Sequence, residues 1–219
     1  EDVFRIAEGK KIKRNPDGSR AFHKDDAGKY VFEYEKDDAD NGNRPGIYIE
    51  TKAPENYPGI EEQIYEELAQ IGWNPLEGKK IKEDEPFYKK RKVNVGNTRG
   101  KLLLQTFSRT GMLNIKRVFN GDILVSFLVG NPKTNEFAKE EVMDDLIGFA
   151  IISGAQFIGT NLGDTNDGLT TEFSKKIHAA GNLPGMRQPH QSARGRSRPT
   201  LHQPRLSGAI ARTHIPFQQ

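Results

Sequence analysis

From residue 46 to residue 181 the apolar positions switch repeatedly between a period of two and a period near 3.6. The stretch Gly46-Ile47-Tyr48-Ile49-Glu50-Thr51-Lys52-Ala53-Pro54 alternates apolar with polar residues, is opened by a glycine and is closed by a residue with no ladder donor. That spacing predicts a strand with Ile47, Ile49 and Thr51 on one face and Tyr48, Glu50 and Lys52 on the other. Pro58-Gly59-Ile60 then opens a helix running to about Ile71, with Ile60, Ile64, Tyr65, Leu68 and Ile71 at helical spacing and Gly72 as its stop.

A second strand, Lys101–Phe107, is apolar on both faces over its first half, as buried parallel strands are. Ser108 is placed to cap a helix that carries Met112, Ile115, Lys116 and Phe119 along one side. A third strand covers Ile123–Val129. The following helix, 139 to 153, turns Val142, Leu146, Phe149 and Ala150 toward the core, and a fourth strand at Ala155–Asn161 precedes a helix over Leu169–Ala180. Strand and helix alternating in this way predict an α/β fold with a parallel sheet, and the even spacing favours a (β/α) barrel over a doubly wound sheet. No glycine-rich phosphate loop follows any strand, which counts against a nucleotide fold.

Upstream the pattern differs. Residues 1–9 predict a short helix with Val3, Ile6 and Ala7 as its apolar face, and because they read as the interior of an element the natural start is expected further upstream. Residues 10–45 are polar and turn-rich, with turn signals at Asn15-Pro16-Asp17-Gly18 and Asn41-Gly42-Asn43, and Lys29–Tyr34 reads as one strand of a surface hairpin. This segment is an insertion in the alternating pattern. Residues 74–99 are charged and irregular, and their Lys89–Lys92 run reads as a solvated loop. Phe87-Tyr88 alone makes a thin case for base stacking, which argues against nucleic acid as a partner.

Charge divides the chain of 219 residues. Residues 182–219 hold six arginines and no acid, so residues 1–181 hold 27 basic and 30 acidic side chains, a net of −3 beneath the overall +3. The tail is rich in Pro, Gln, Arg and Ser, without periodicity, and is expected to be disordered. The abrupt change of composition near Gly181 is read as a change of reading frame, which translation of the other frames would test. No apolar run reaches the length needed to cross a bilayer. With no cysteine, disulfides and thiolate chemistry are excluded.

The strand containing Glu50 and Lys52 resembles the E-x-K strand of the glycerophosphodiester phosphodiesterase family, especially its periplasmic GlpQ-like branch. Leu103-Leu104-Gln105-Thr106-Phe107 is similar to that family's next strand. Gly154–Asn161 is similar to its penultimate one, with Gln156 where an aspartate more usually stands, and Glu1–Gly9 resembles the helix after its third strand. The resemblance covers residues 1–9 and 46–181. It implies a partial TIM barrel of the phospholipase C-like phosphodiesterase type over residues 1–181, with residues 10–45 inserted. It also implies metal-dependent hydrolysis of glycerophosphodiesters to an alcohol and glycerol 3-phosphate, and a periplasmic or secreted location if the chain is like that branch.

On this resemblance Glu50 is the metal-binding residue, for Ca²⁺ or Mg²⁺. Lys52 contacts the phosphate, and Gln105 and Phe107 line the substrate pocket. The chemistry agrees, since a hard cation takes carboxylate oxygen and an ammonium neutralises charge growing on phosphoryl oxygens. The family's His-Arg-Gly motif and catalytic histidines are missing. His23, His178, His190, His202 and His214 do not stand beside Glu50 in the pattern, so no catalytic acid or base is assigned and this fragment is expected to be inactive. A phospholipase C or sphingomyelinase D-like barrel, or a non-catalytic phosphate- or nucleic-acid-binding protein, is the alternative expectation.

Overall fold

A computed structural model of the chain describes residues 1–77, 81, 87–129, 139–160 and 171–181. The expectations placed on residues 182–219, including the disordered tail, lie outside them. At the centre is a four-stranded sheet of β5 (Ile47–Thr51), β8 (Leu102–Thr106), β9 (Leu124–Leu128) and β10 (Phe157–Gly159), in the spatial order β10-β9-β8-β5 and parallel throughout. Helices α2 (Ile60–Gln70), α3 (Arg109–Val118) and α4 (Glu140–Ser153) make the crossovers, and α5 (Thr171–Gly181) follows β10. Each strand is laid beside its predecessor, so there is no reversal of order and right-handed crossovers put the helices on one face. This is the expected α/β class. Four strands do not close, and a TIM barrel is not shown.

The alternation within each strand explains that one-sided packing. Leu102, Leu104 and Thr106 of β8 and Val125 and Phe127 of β9 are buried under the helices, and Met112, Ile115 and Phe119 from α3 and Leu68 from α2 complete the core. Burying a side chain of that size contributes about 1.5–3 kcal/mol, so this layer is a principal source of the fold's stability. Ser108 caps α3 as its position predicts, accepting a hydrogen bond from the Gly111 N–H at 2.8 Å.

The face of α1 (Asp2–Ala7) differs from expectation, and that of α4 keeps Leu146, Phe149 and Ala150 on the core but adds Met143 and Ile147. In α1, Val3 and Ile6 are exposed, while Phe4 and Ala7 face the core. Phe4 makes an edge contact with Trp73 at 5.0 Å between ring centroids, and the Trp73 indole N–H donates to Glu8 at 2.9 Å. A tertiary aromatic pair thus turns the helix away from its most aliphatic side. In α4 the buried line is Met143, Ile147 and Ala150, flanked by the half-buried Val142, Leu146 and Phe149. This helix is apolar around most of its circumference, so periodicity alone does not fix its rotation.

The insertion forms two separate ladders. β1 (Lys10–Ile12) pairs antiparallel with β4 (Tyr34–Lys36), and β2 (Phe22–Lys24) with β3 (Tyr30–Phe32). The single strand expected at Lys29–Tyr34 is therefore divided at Glu33, whose N–H donates to Ala21 and whose carbonyl accepts from Lys13. Arg20 stacks on the Phe32 ring at 3.6 Å from its centroid and pairs with Asp2, which ties the insertion to α1. A third small hairpin, β6 (Tyr88–Lys89) with β7 (Lys92–Val93), lies between α2 and β8. No helix among the described residues is long and apolar enough to cross a membrane.

Candidate functional site

The sheet face turned away from the helices is built by the same alternation that fills the core. Parallel register places Glu50 opposite Gln105, Gln105 opposite Ser126, and Ser126 opposite Phe157. Neighbouring strands lie about 4.8 Å apart, so these four positions form one row across the open face. Nearer the strands' amino ends the row is Tyr48, Leu103 and Leu124. Beyond the last paired residues, at the carboxyl ends, stand the exposed Lys52 and Phe107. Glu50 and Gln105 are thus cross-strand neighbours, with Lys52 and Phe107 as their rim.

The rim is braced by hydrogen bonds. The Thr106 hydroxyl donates to the Thr51 carbonyl at 2.9 Å and accepts from the Ser108 N–H at 3.1 Å. Ser108 also donates to the Glu55 carboxylate, which holds that carboxyl below its usual range. Directly after Lys52 the chain enters the left-handed region at Ala53, with φ of 42°, and continues into the 3-10 turn Pro54–Asn56. A residue with a Cβ in that region is strained, and such strain gathers at sites where the surrounding structure fixes the backbone.

Below the rim, the Tyr48 phenol approaches the hydroxyl of Ser126, which is only 1% exposed. Burial is the main cause that pushes the Tyr48 phenol up, the nearby Ser126 hydroxyl works against it, and the Glu50 charge adds to the rise. The phenol therefore stays neutral and supplies a polar floor one row beneath Glu50. Neither Glu50 nor Lys52 takes part in the ion pairs formed among the described residues. Both are free to meet a ligand.

For a hard cation this donor set is incomplete. Ca²⁺ takes six to eight oxygens and Mg²⁺ six. The row offers one carboxylate, one amide oxygen, a hydroxyl and a phenol, and no group of three or more His, Asp or Glu gathers among the described residues. Glu50 fits as one member of a shell that the described residues do not complete.

Of the histidines, His23 lies on β2 of the insertion and His178 on α5. The other three lie outside the described residues. Gln156 stands before β10 rather than in the row. Its side chain accepts from the Val125 N–H at 2.7 Å and donates to the Gly154 carbonyl at 2.8 Å, which is a structural task. Sequence reasoning missed Tyr48 and Ser126 as partners. Ser126 is nevertheless the one polar residue in the run Ile123–Val129, and alternation already put it with Leu124 and Leu128 on the open face. No protein-family model and no curated protein matches this chain.

Proposed function

We propose that the chain supplies one wall of a phosphate-ester site in a (β/α) barrel of the glycerophosphodiester phosphodiesterase type. The reading rests on a single observation: the register sets Glu50 beside Gln105 on the open sheet face, one row below the rim that carries Lys52 and Phe107. Strands laid down in sequential order with helices on one side are also what a barrel wall requires. In this reading Glu50 gives one oxygen to a Ca²⁺ or Mg²⁺ ion and Lys52 neutralises a phosphoryl oxygen. Gln105 hydrogen-bonds the ligand, and the Phe107 ring covers its glycerol portion.

Titration with glycerol 3-phosphate in the presence of Ca²⁺, followed by amide chemical shifts, tests this. The expected result is movement confined to residues 48–52 and 103–107. Lys52→Met then weakens binding about tenfold, the worth of roughly 1.4 kcal/mol, and Glu50→Gln removes the dependence on the ion. Binding indifferent to both substitutions would defeat the assignment. The positions of His23 and His178 favour a second outcome for this chain, capture of the phosphate ester without turnover, because phosphodiester cleavage needs an acid and a base beside the ester. Glycerophosphocholine that binds and is recovered intact is the expected sign of it. A preference for intact phospholipid over glycerophosphocholine would move the assignment to a phospholipase-type barrel.

A further inference from the structure

The β6–β7 hairpin breaks local rules without an internal return. Its two-residue connection, Lys90-Arg91, has both residues at positive φ, 50° and 63°. This is the type I′ hairpin turn, which Asn and Gly occupy without strain and long side chains occupy at a cost. The turn is thus made of two consecutive cations, and Lys92 follows them directly in the chain. Lys90 and Arg91 are exposed and take part in no ion pair among the described residues. The segment 79–92 holds seven cations against three anions, in a body of residues 1–181 that is net negative.

The hairpin is nevertheless firmly mounted. Val93 and Arg44 pair through Arg44 N–H to the Val93 carbonyl at 2.8 Å, the Val93 N–H donates to the Asn43 side chain at 2.9 Å, and the Val95 N–H donates to the Arg44 carbonyl at 3.0 Å. Arg44 is itself clamped by Asp40, whose carboxyl it holds down to about 2. Beside the cationic turn, Tyr88 is 63% exposed and lies opposite the exposed Val93. Phe87 is occupied against Gly100. One free tyrosine is a poor platform for stacking successive bases. A ring and an aliphatic side chain fringed by lysine and arginine match the headgroup layer of an anionic bilayer instead.

We propose that the β6–β7 hairpin docks this protein on an anionic phospholipid surface. Arg91 and Lys90 meet the lipid phosphates, and Tyr88 and Val93 enter the interface. The hairpin sits at the amino end of β5, so it tethers the protein at the opposite end from Lys52 and works independently of the phosphate-ester site.

The test uses the whole chain in sedimentation with phosphatidylcholine vesicles, with and without phosphatidylserine. The double variant Lys90→Asn, Arg91→Gly removes two cations and installs residues suited to a type I′ turn. Its expected behaviour is about a thirtyfold loss of affinity for the phosphatidylserine vesicles, two cations' worth of attraction to an anionic leaflet, with a melting temperature unchanged or raised. Tyr88→Ser is expected to weaken binding to the same vesicles. The arginines of residues 182–219 are present in every arm, so the difference reports the hairpin alone. Vesicle binding unchanged in the double variant overturns the proposal. So does a loss seen with single-stranded RNA and absent with vesicles.

Discussion

Gly46→Ala is expected to destabilise the protein more than a methyl added at any other described glycine. A Cβ at this position would stand 2.0 Å from the Gly100 carbonyl oxygen, 3.1 Å from its carbon and 3.2 Å from the Lys101 oxygen. All three are backbone atoms of the Arg99–Lys101 3-10 turn that feeds β8, so no side chain can swing aside. Relief requires β5 to slide along β8 or the turn to lift. Either movement breaks the pairing of Ile47 with Leu102, and with it the cross-strand placement of Glu50 and Gln105.

Overpacking of this kind costs about 3 kcal/mol or more when the backbone must move. The contrast is Gly148→Ala in α4, where the added methyl meets nothing within 4 Å. Alanine in a helix interior is better than glycine by about 1 kcal/mol, so this change is expected to stabilise. Urea unfolding midpoints of the two variants should therefore move in opposite directions. A Gly46→Ala midpoint equal to that of the parent would mean that β5 and β8 are not held in this register.

Glu61→Gln is expected to stabilise the protein at neutral pH and to lose that advantage in acid. Glu61 lies on α2 against α3, is 2% exposed, and leaves its Oε1 atom buried without a hydrogen-bond partner. Burial is the main cause that pushes its carboxyl above the ordinary 4.5, and the Glu62 charge adds to it. Its own backbone N–H, Asn114 and Arg117 oppose the rise without cancelling it. A carboxyl with a higher pKa in the fold than in the unfolded chain binds its proton more tightly when folded. Its cost to the fold is absent below the unfolded pKa, grows as the pH rises between the two values, and is complete above the folded one.

Leaving such an acceptor buried and unpaired costs about 1–3 kcal/mol. Glutamine is uncharged at every pH, so the melting temperature of Glu61→Gln should exceed that of the parent at pH 7 and match it near pH 4, where the carboxyl is largely protonated in both states. An advantage of equal size at both values would show that the charge of Glu61 is not what opposes folding.

The central elements were legible because several local signals coincide in them. Strand β8 combines a run of leucines with a glycine before it and a capping serine after it, and both ends fell within a residue of expectation. The candidate site was legible to the same extent, since alternation alone puts Glu50 with Tyr48, and Gln105 with Leu103. What alternation does not contain is which strand lies beside which. The row Glu50, Gln105, Ser126 and Phe157 exists because three parallel registers coincide, and the reach of Tyr48 to Ser126 spans two strands.

The same distinction explains which faces of α1 and α4 are buried. The side chains of α1 and α4 are apolar on more than one side, and partners distant in sequence, Trp73 for one and the sheet for the other, selected the face that was buried. Glu61 stands beside Glu62 in the first turn of α2, and its burial comes from α3 packing over it.

Backbone periodicity and capping act within a few residues, so the alternating elements, the parallel α/β class and the common face of Tyr48 and Glu50 are local properties of the chain. The strand order, the rotation of the helices, the burial of Glu61 and the strained cationic turn at Lys90-Arg91 are properties of the assembled fold. Those depend on contacts between segments far apart in the chain, where packing and desolvation outweigh local preference.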